Sequence, residues 1–248
     1  MTSLWNRFVE SRAARAFVQT LVGLVSYPCL VLMNKLEISG MEHLAGLPHR
    51  DVLFVCNHQT YFADVITLYH IFYAAKAGKK NRLGPPFYLF NRVIEVYFIA
   101  AAETMHENWI TRLFILAGAL MIKRTWKTGD KSVQREHDPA DTEKITRALA
   151  KSWVLTFPQG TTQPYAPGRK GTAYIIKASK PIVVPVVIGG FRKTFGKKGL
   201  WPKSIGARLS VAIKPPLEVD YGAPAEDILD KVMDSIEQSE KYIGTEVN

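Results

Sequence analysis

Apolar and polar positions along the chain fall into two kinds of run. DVLFVC (51–56) and WVLTF (153–157) are short and almost continuously apolar, the pattern of strands buried on both faces, and PIVVPVVIG (181–189) repeats it. KLEISGMEHL (35–44) alternates instead, as a half-buried strand does, and stops at a loop containing Pro48, while LSVAIKPPLEV (209–219) reads as one more strand. Helical spacing appears between them. Val65, Ile66, Leu68, Tyr69, Ile71 and Phe72 form one such stretch, ending near Gly78, and AYIIKAS forms a second. Near the C-terminus Ile228, Leu229, Val232, Met233 and Ile236 share a face, with Asp227 and Lys231 as an i,i+4 pair. Further apolar segments span 86–101 and 108–122; residues 123–138 are polar, and Asp141 is positioned to cap the helix TEKITRALAKS. Strands alternating with helices predict an α/β fold, a mostly parallel central sheet flanked by helices, with no second globular domain and no repeat.

The N-terminal stretch AFVQTLVGLVSYPCLVLM (16–33) is apolar, with Arg7, Arg12 and Arg15 before it and Lys35 after. A spanning helix needs about 20 mostly apolar residues, and Gln19, Thr20, Ser26 and Pro28 interrupt this one. It lacks the small-residue cleavage site of a signal peptide. It reads as an interfacial or shallowly embedded helix kinked by Pro28, the alternative being a helix packed on the protein's own core. The chain therefore divides into a membrane-associating helix (1–34) and one domain (35–248).

Composition narrows the function classes. With 47% hydrophobic and 22% charged residues the chain is neither disordered nor a polytopic membrane protein. Its two cysteines, Cys29 and Cys56, make no disulfide framework and suit a reducing compartment. Neither has a partner at ligand spacing and the histidines are scattered, so no metal site is expected. Charge adds more: 32 Lys+Arg against 22 Asp+Glu, net +10, draws the protein toward an anionic partner. The densest basic segment, 189–208, interleaves Arg192, Lys193, Lys197, Lys198, Lys203 and Arg208 with Phe191, Phe195, Leu200 and Trp201. Rings and methylenes beside lysines suit an anionic lipid surface, with Phe191, Phe195, Lys197, Lys198 and Trp201 as its contacts. A stacking-based nucleic-acid site has a similar composition, and so does a loop whose aromatics fold back onto the core. The membrane is favoured, at its cytoplasmic face, with no nucleic acid as partner.

Candidate chemistry sits where the buried-type strands end. N57-H58-Q59-T60 follows 51–56, with Asp64 six positions after His58; alone this is weak, since Asn or Thr can cap a helix and an isolated His is usually structural. GALMIKR (118–124) puts Arg124 six residues after a Gly; FPQGTT (157–162) turns from a strand end through Gly into hydroxyls; GRKG (168–171) adds Arg169 and Lys170. IVVPVVI carries Pro185 inside a strand, where Pro belongs at an edge or a bulge.

These blocks, in this order, resemble the glycerolipid acyltransferase family that includes the lysophosphatidic acid acyltransferases. Its members carry Asn-His-x4-Asp, Gly-x5-Arg, Phe-Pro-Glu-Gly-Thr-Arg and Val-Pro-Val blocks. The resemblance covers residues 35–215; the first and third blocks are specific, the second and fourth common. It implies an O-acyltransferase that moves a fatty acyl chain from acyl-CoA or acyl carrier protein, as co-substrate, to a hydroxyl of a lysophospholipid or other monoacyl lipid, with no cofactor and no metal. His58 would be the general base and Asp64 would hold its imidazole in the right tautomer. Asn57, Arg124, Gln159, Gly160, Thr161, Arg169 and Lys170 would bind acceptor or oxyanion. A catalytically silent lipid-binding or scaffold protein of the same fold is the alternative.

Two departures stand out. His58 to Asp64 is x5, and on a continuous helix six positions turn through about 600°. The two side chains meet only if the extra residue is absorbed in the turn, around Tyr61-Phe62; otherwise Asp64 is merely an acid at a helix start. The third block has Gln159 for Glu and Thr162 for Arg, so acceptor recognition differs, with Arg169 as a substitute cation or with a lyso-aminolipid as the acceptor.

Overall fold

The computed structural model describes residues 12–90, 93–102, 109–122, 139–196 and 201–244. Its strands are β1 (Lys35–Ser39), β2 (Val52–Cys56), β3 (Val96–Ala101), β4 (Ala119–Ile122), β5 (Trp153–Thr156), β6 (Ile182–Gly189) and β7 (Arg208–Ile213). They form one seven-stranded sheet in the order β1-β7-β6-β2-β5-β3-β4, parallel throughout except for the β6–β7 pair. The mostly parallel sheet flanked by helices is thus the fold that the run pattern predicts.

The continuous apolar runs follow from burial on both faces. Val52, Phe54 and Cys56 point into one core, together with Trp153, Leu155, Val184 and Val186; Leu53 and Val55 point into the other, with Val154 and Val183. The first core is covered by α1 (Arg12–Val31), α2 (Glu42–Ala45), α3 (Ala63–Lys76) and α4 (Trp109–Leu116). The second is covered by α5 (Pro139–Leu149), α6 (Lys170–Ser179) and α8 (Ala225–Ser235). A short α7 (Phe191–Phe195) follows β6. Phe54 packs against both Phe72 and Trp153, with ring centroids 4.3 and 5.1 Å away. Each such side chain taken from water contributes about 1.5–3 kcal/mol.

Several boundaries differ from the sequence reading, each for a local reason. β1 ends at Ser39, and α2 takes residues read as strand, because Gly40 has φ +77° and a Cβ there would stand 1.8 Å from the Ile213 carbonyl oxygen. β7 ends at Ile213, before Pro215 and Pro216. The segments 86–101 and 108–122 each hold two elements: a 3-10 turn (Pro86–Leu89) then β3, and α4 then β4. Asp141 lies in the first turn of α5, which begins at Pro139, and Lys231 turns to the Glu218 carbonyl, not to Asp227. Pro185 lies in an interior strand. The β6–β7 ladder begins at Val186, level with Ile213, and Pro185 needs only its carbonyl, which accepts from Lys214 N–H at 2.9 Å.

α1 packs along α3 and the 3-10 turn. The polar residues that interrupt its hydropathy all face the protein: Gln19 donates to the Ala117 carbonyl and accepts from Tyr73, Thr20 donates to the Leu89 carbonyl, and Ser26 bonds His70. Phe17, Leu21, Leu24, Val25 and Val31 remain exposed on its other side.

Candidate active site

β6, β2 and β5 are neighbours, and their C-terminal ends open at one place, the usual position of sites in parallel sheets. His58 follows the middle strand. Residues 57–62 form a non-helical turn and α3 begins only at Ala63, so the extra residue of the x5 spacing is absorbed before the helix. His58 Nδ1 lies 2.9 Å from Asp64 Oδ2. The same oxygen accepts from the backbone N–H groups of Gln59 (2.6 Å) and Thr60 (3.0 Å), and Oδ1 accepts from the Thr60 hydroxyl (2.7 Å). Asp64 is fully buried. A buried carboxyl surrounded by donors acts as an acceptor, so Nδ1 carries the proton and Nε2 offers its lone pair. The imidazole stacks on Phe157, the first residue after β5, with centroids 3.9 Å apart at 24°. Its side chain keeps 13% exposure, so it lies at the mouth of the site and not beneath the core.

The neighbouring Cys56 is fully buried. Burial, reinforced by the charge of Asp64, pushes its thiol well above the usual thiol range.

The structure separates the other sequence-predicted site residues. Asn57 is buried, and its amide makes a reciprocal pair with Ile188: Nδ2 donates to the Ile188 carbonyl (2.8 Å) while Oδ1 accepts from Ile188 N–H (2.7 Å). It ties β2 to β6. Gln159 is also buried, with Nε2 donating to the Ala166 carbonyl and to Gln238 Oε1. It holds the loop to the C-terminal segment. Gly160, with φ +60°, donates its N–H to the Phe157 carbonyl, closing the turn. A Cβ there would stand 2.9 Å from Arg169 Nε, so the missing side chain is what lets Arg169 lie across the turn and donate to the Gln159 carbonyl (3.0 Å). Thr161 is half-buried next to it, its hydroxyl accepting from Gln163 N–H at 3.3 Å. Lys170 forms an exposed ion pair with Glu226 of α8, which raises the ammonium's pKa and lowers the carboxyl's. Arg124, Lys197 and Lys198 lie outside the described residues.

The aromatics assigned to a lipid surface divide too. Phe191 and Phe195 are core residues, 0% and 6% exposed and stacked on each other, so they do not contact a membrane. Trp201 is 72% exposed. Sequence reasoning missed Gln59, whose Oε1 accepts from Phe191 N–H (2.8 Å) and Arg192 N–H (3.2 Å) while Nε2 donates to the Ile188 carbonyl (3.0 Å). It also missed Phe157 as the platform beneath His58. Gln59 reads as one more polar turn residue in a sequence. Phe157 carried a clear signal, as the aromatic that leads a motif block.

A mostly parallel open sheet thus carries a carboxyl-held imidazole at its strand ends. The model of the Acyltransferase family matches residues 35–189, and the chain belongs to that family. Its fold is similar to that of a solved structure, the 1-acyl-sn-glycerophosphate (LPA) acyltransferase PlsC from Thermotoga maritima. The two are 16% identical with a TM-score of 0.56, over 99% of this chain and 90% of that one. Among curated proteins no sequence match was found.

Proposed function

We propose that this acyltransferase is a membrane-associated O-acyltransferase of glycerolipid type. It moves a fatty acyl chain from acyl-CoA or acyl carrier protein to a hydroxyl of a lysophospholipid or other monoacyl lipid. The observation that carries the reading is the His58–Asp64 contact at the open end of β2, which leaves Nε2 directed away from its carboxyl partner. Nε2 takes the proton of the acceptor hydroxyl as the oxygen attacks the thioester carbonyl carbon. The tetrahedral intermediate then expels the thiolate, and the imidazolium returns the proton to sulfur. Asp64 stabilises the imidazolium and fixes the ring. Thr161, beside the Gly160 turn, and Arg169 are the described groups proposed to hold acceptor or oxyanion, and Arg124 is proposed for acceptor phosphate. Acceptor and thioester react directly once aligned, so no serine nucleophile is needed.

Membrane association is supported by α1 and its surroundings. Ala13–Val31 is long and apolar enough to cross a bilayer, with mean hydropathy 1.4. Its polar side chains are engaged with the protein body, which favours a helix lying in the interface over one that crosses. The exposed stripe continues through Leu32 toward Ile205, since Gly206 N–H donates to the Met33 carbonyl beside the end of α1. Lys79, Lys80 and Arg82 border the same region, where Tyr27 reaches the Gly84 carbonyl. Basic groups beside a wide apolar stripe suit the cytoplasmic leaflet, whose lipids are partly anionic.

The test is transfer of a labelled acyl chain from acyl-CoA to lysophosphatidic acid by purified wild type and by His58→Ala. Product formed by the wild type alone supports the mechanism; equal turnover by both refutes it.

A further inference from the structure

Three adjacent strands end at the site in the order β6, β2, β5, and His58 follows the middle one. Arg192 follows β6. Its guanidinium donates through one terminal nitrogen to the carbonyl of Thr162, in the loop that follows β5. A contact between the two outer loops crosses the end of the strand between them. The Arg192 side chain therefore joins the loops on either side of the one that carries His58. Its backbone is fixed from the same place, because Gln59, next in sequence to His58, accepts the Arg192 N–H. The adjoining Phe191 is anchored in the core.

Among the described residues the Thr162 carbonyl is the one partner of this guanidinium, and a carbonyl does not neutralise it. The segments that form the mouth (57–62, 157–169 and 189–196) contain no Asp or Glu. The acid bonded to His58, Asp64, is fully buried and already accepts from His58, Gln59 and Thr60. Of the other basic groups here, Arg169 donates to the Gln159 carbonyl, the adjoining Lys170 is paired with Glu226, and Lys193 is exposed beside Arg192 but carries a single ammonium, not a fork. Arg192 is left as an exposed planar fork at the site, and a guanidinium has five N–H donors arranged to grip phosphate oxygens in pairs.

We infer that Arg192 is a further anion receptor of this site, beside the proposed Arg124 and Arg169: it exchanges the Thr162 carbonyl for the oxygens of a substrate phosphate ester. Bridging the two loops, it holds that phosphate while the hydroxyl of the same molecule sits at His58 Nε2. The inference rests on the proposed acyl transfer for its substrate, but not for its chemistry. A phosphate could come from the acceptor lipid or from the carrier of the thioester, and kinetics separates the two.

The experiment compares wild type, Arg192→Ala and Arg192→Lys, with lysophosphatidic acid and with monoacylglycerol as acceptors. Arg192→Ala is expected to lose at least tenfold in kcat/KM toward lysophosphatidic acid, through the acceptor KM, and less than threefold toward monoacylglycerol. Arg192→Lys, which keeps the charge but not the fork, should recover part of the loss. A rise confined to the KM of acyl-CoA supports a phosphate receptor and assigns it to the carrier. Equal rises in the KM of both acceptors with the acyl-CoA KM unchanged, a fall in kcat alone, or no loss, overturn the inference and leave Arg192 as a loop strap. Should the wild type acylate neither lipid, the functional proposal fails, and binding decides this one separately. Calorimetric titration with dodecyl phosphate should give at least tenfold weaker binding to Arg192→Ala than to wild type, with dodecanol binding both alike. Equal affinity for dodecyl phosphate overturns it.

Discussion

At the scale of single residues, one carboxyl organises the site. Asp64 receives the imidazole and the turn that carries it, so the x5 spacing, which on a helix would part the two side chains, becomes the geometry that joins them. Its neighbour Asn57 has a different role, since both ends of its amide pair with the Ile188 backbone. Asn57→Ala would leave the buried Ile188 N–H unpaired, at about 1–3 kcal/mol, and would leave the Ile188 carbonyl to Gln59 Nε2 alone. We therefore expect urea unfolding to show a loss of a few kcal/mol, with no selective rise in acceptor KM; an acceptor KM raised tenfold at unchanged stability would return Asn57 to the binding site. The His–Asp pair was legible in the sequence because motif and strand end coincide. The duties of Asn57, Gln159 and Gly160 were not. A polar side chain beside a motif histidine reads the same in sequence whether its partner is substrate or backbone, and only the register of β6 against β2 decides.

At the scale of elements, burial on both faces made β2, β5 and β6 readable, because such strands have no polar face to blur their limits. The elements lost in reading were the short ones packed end to end, β3 and β4 with their preceding turns. There an apolar run continues through a change of secondary structure, and the turn carries the information. α1 posed a different problem. Its polar residues lowered its hydropathy, yet they are the ones that dock it. At that junction His70 is buried, 2.7 Å from the Tyr88 hydroxyl and 3.0 Å from Ser26 Oγ. Burial lowers its pKa from 6.5 to about 4, against a smaller opposing effect of the Gly23 backbone. The native state thus binds fewer protons than the unfolded chain between these values. The stabilisation is complete above pH 6.5 and is lost as pH falls toward 4. From pH 7.5 to 5.0 this one group should cost about 2 kcal/mol of unfolding free energy. Urea titrations at the two pH values should show His70→Gln losing less than wild type by that amount; identical losses would remove His70 as the cause.

At the scale of the whole molecule, a net charge of +10 and an uninterrupted apolar stripe on α1 belong to one surface property. The apolar stripe supplies depth and the basic groups supply attraction, which salt screens over about 10 Å at 0.1 M. Binding to vesicles containing anionic lipid should exceed binding to zwitterionic vesicles and weaken with salt. Phe17→Glu with Leu21→Glu should reduce it at least tenfold in co-sedimentation while the unfolding temperature holds, because both side chains are exposed. Undiminished binding by that variant would move the membrane face elsewhere. Charge alone pointed only to some anionic partner. The folded arrangement separates its parts, burying Phe191 and Phe195 while leaving Trp201 outside. The central claim nevertheless rests on one imidazole. Its most direct test is the single-turnover rate of acyl transfer from acyl-CoA to lysophosphatidic acid, in wild type and in a His58→Ala variant of matched unfolding temperature. A fall of about 10²–10⁴-fold is expected on losing the base; equal rates would contradict His58 as the group that takes the proton.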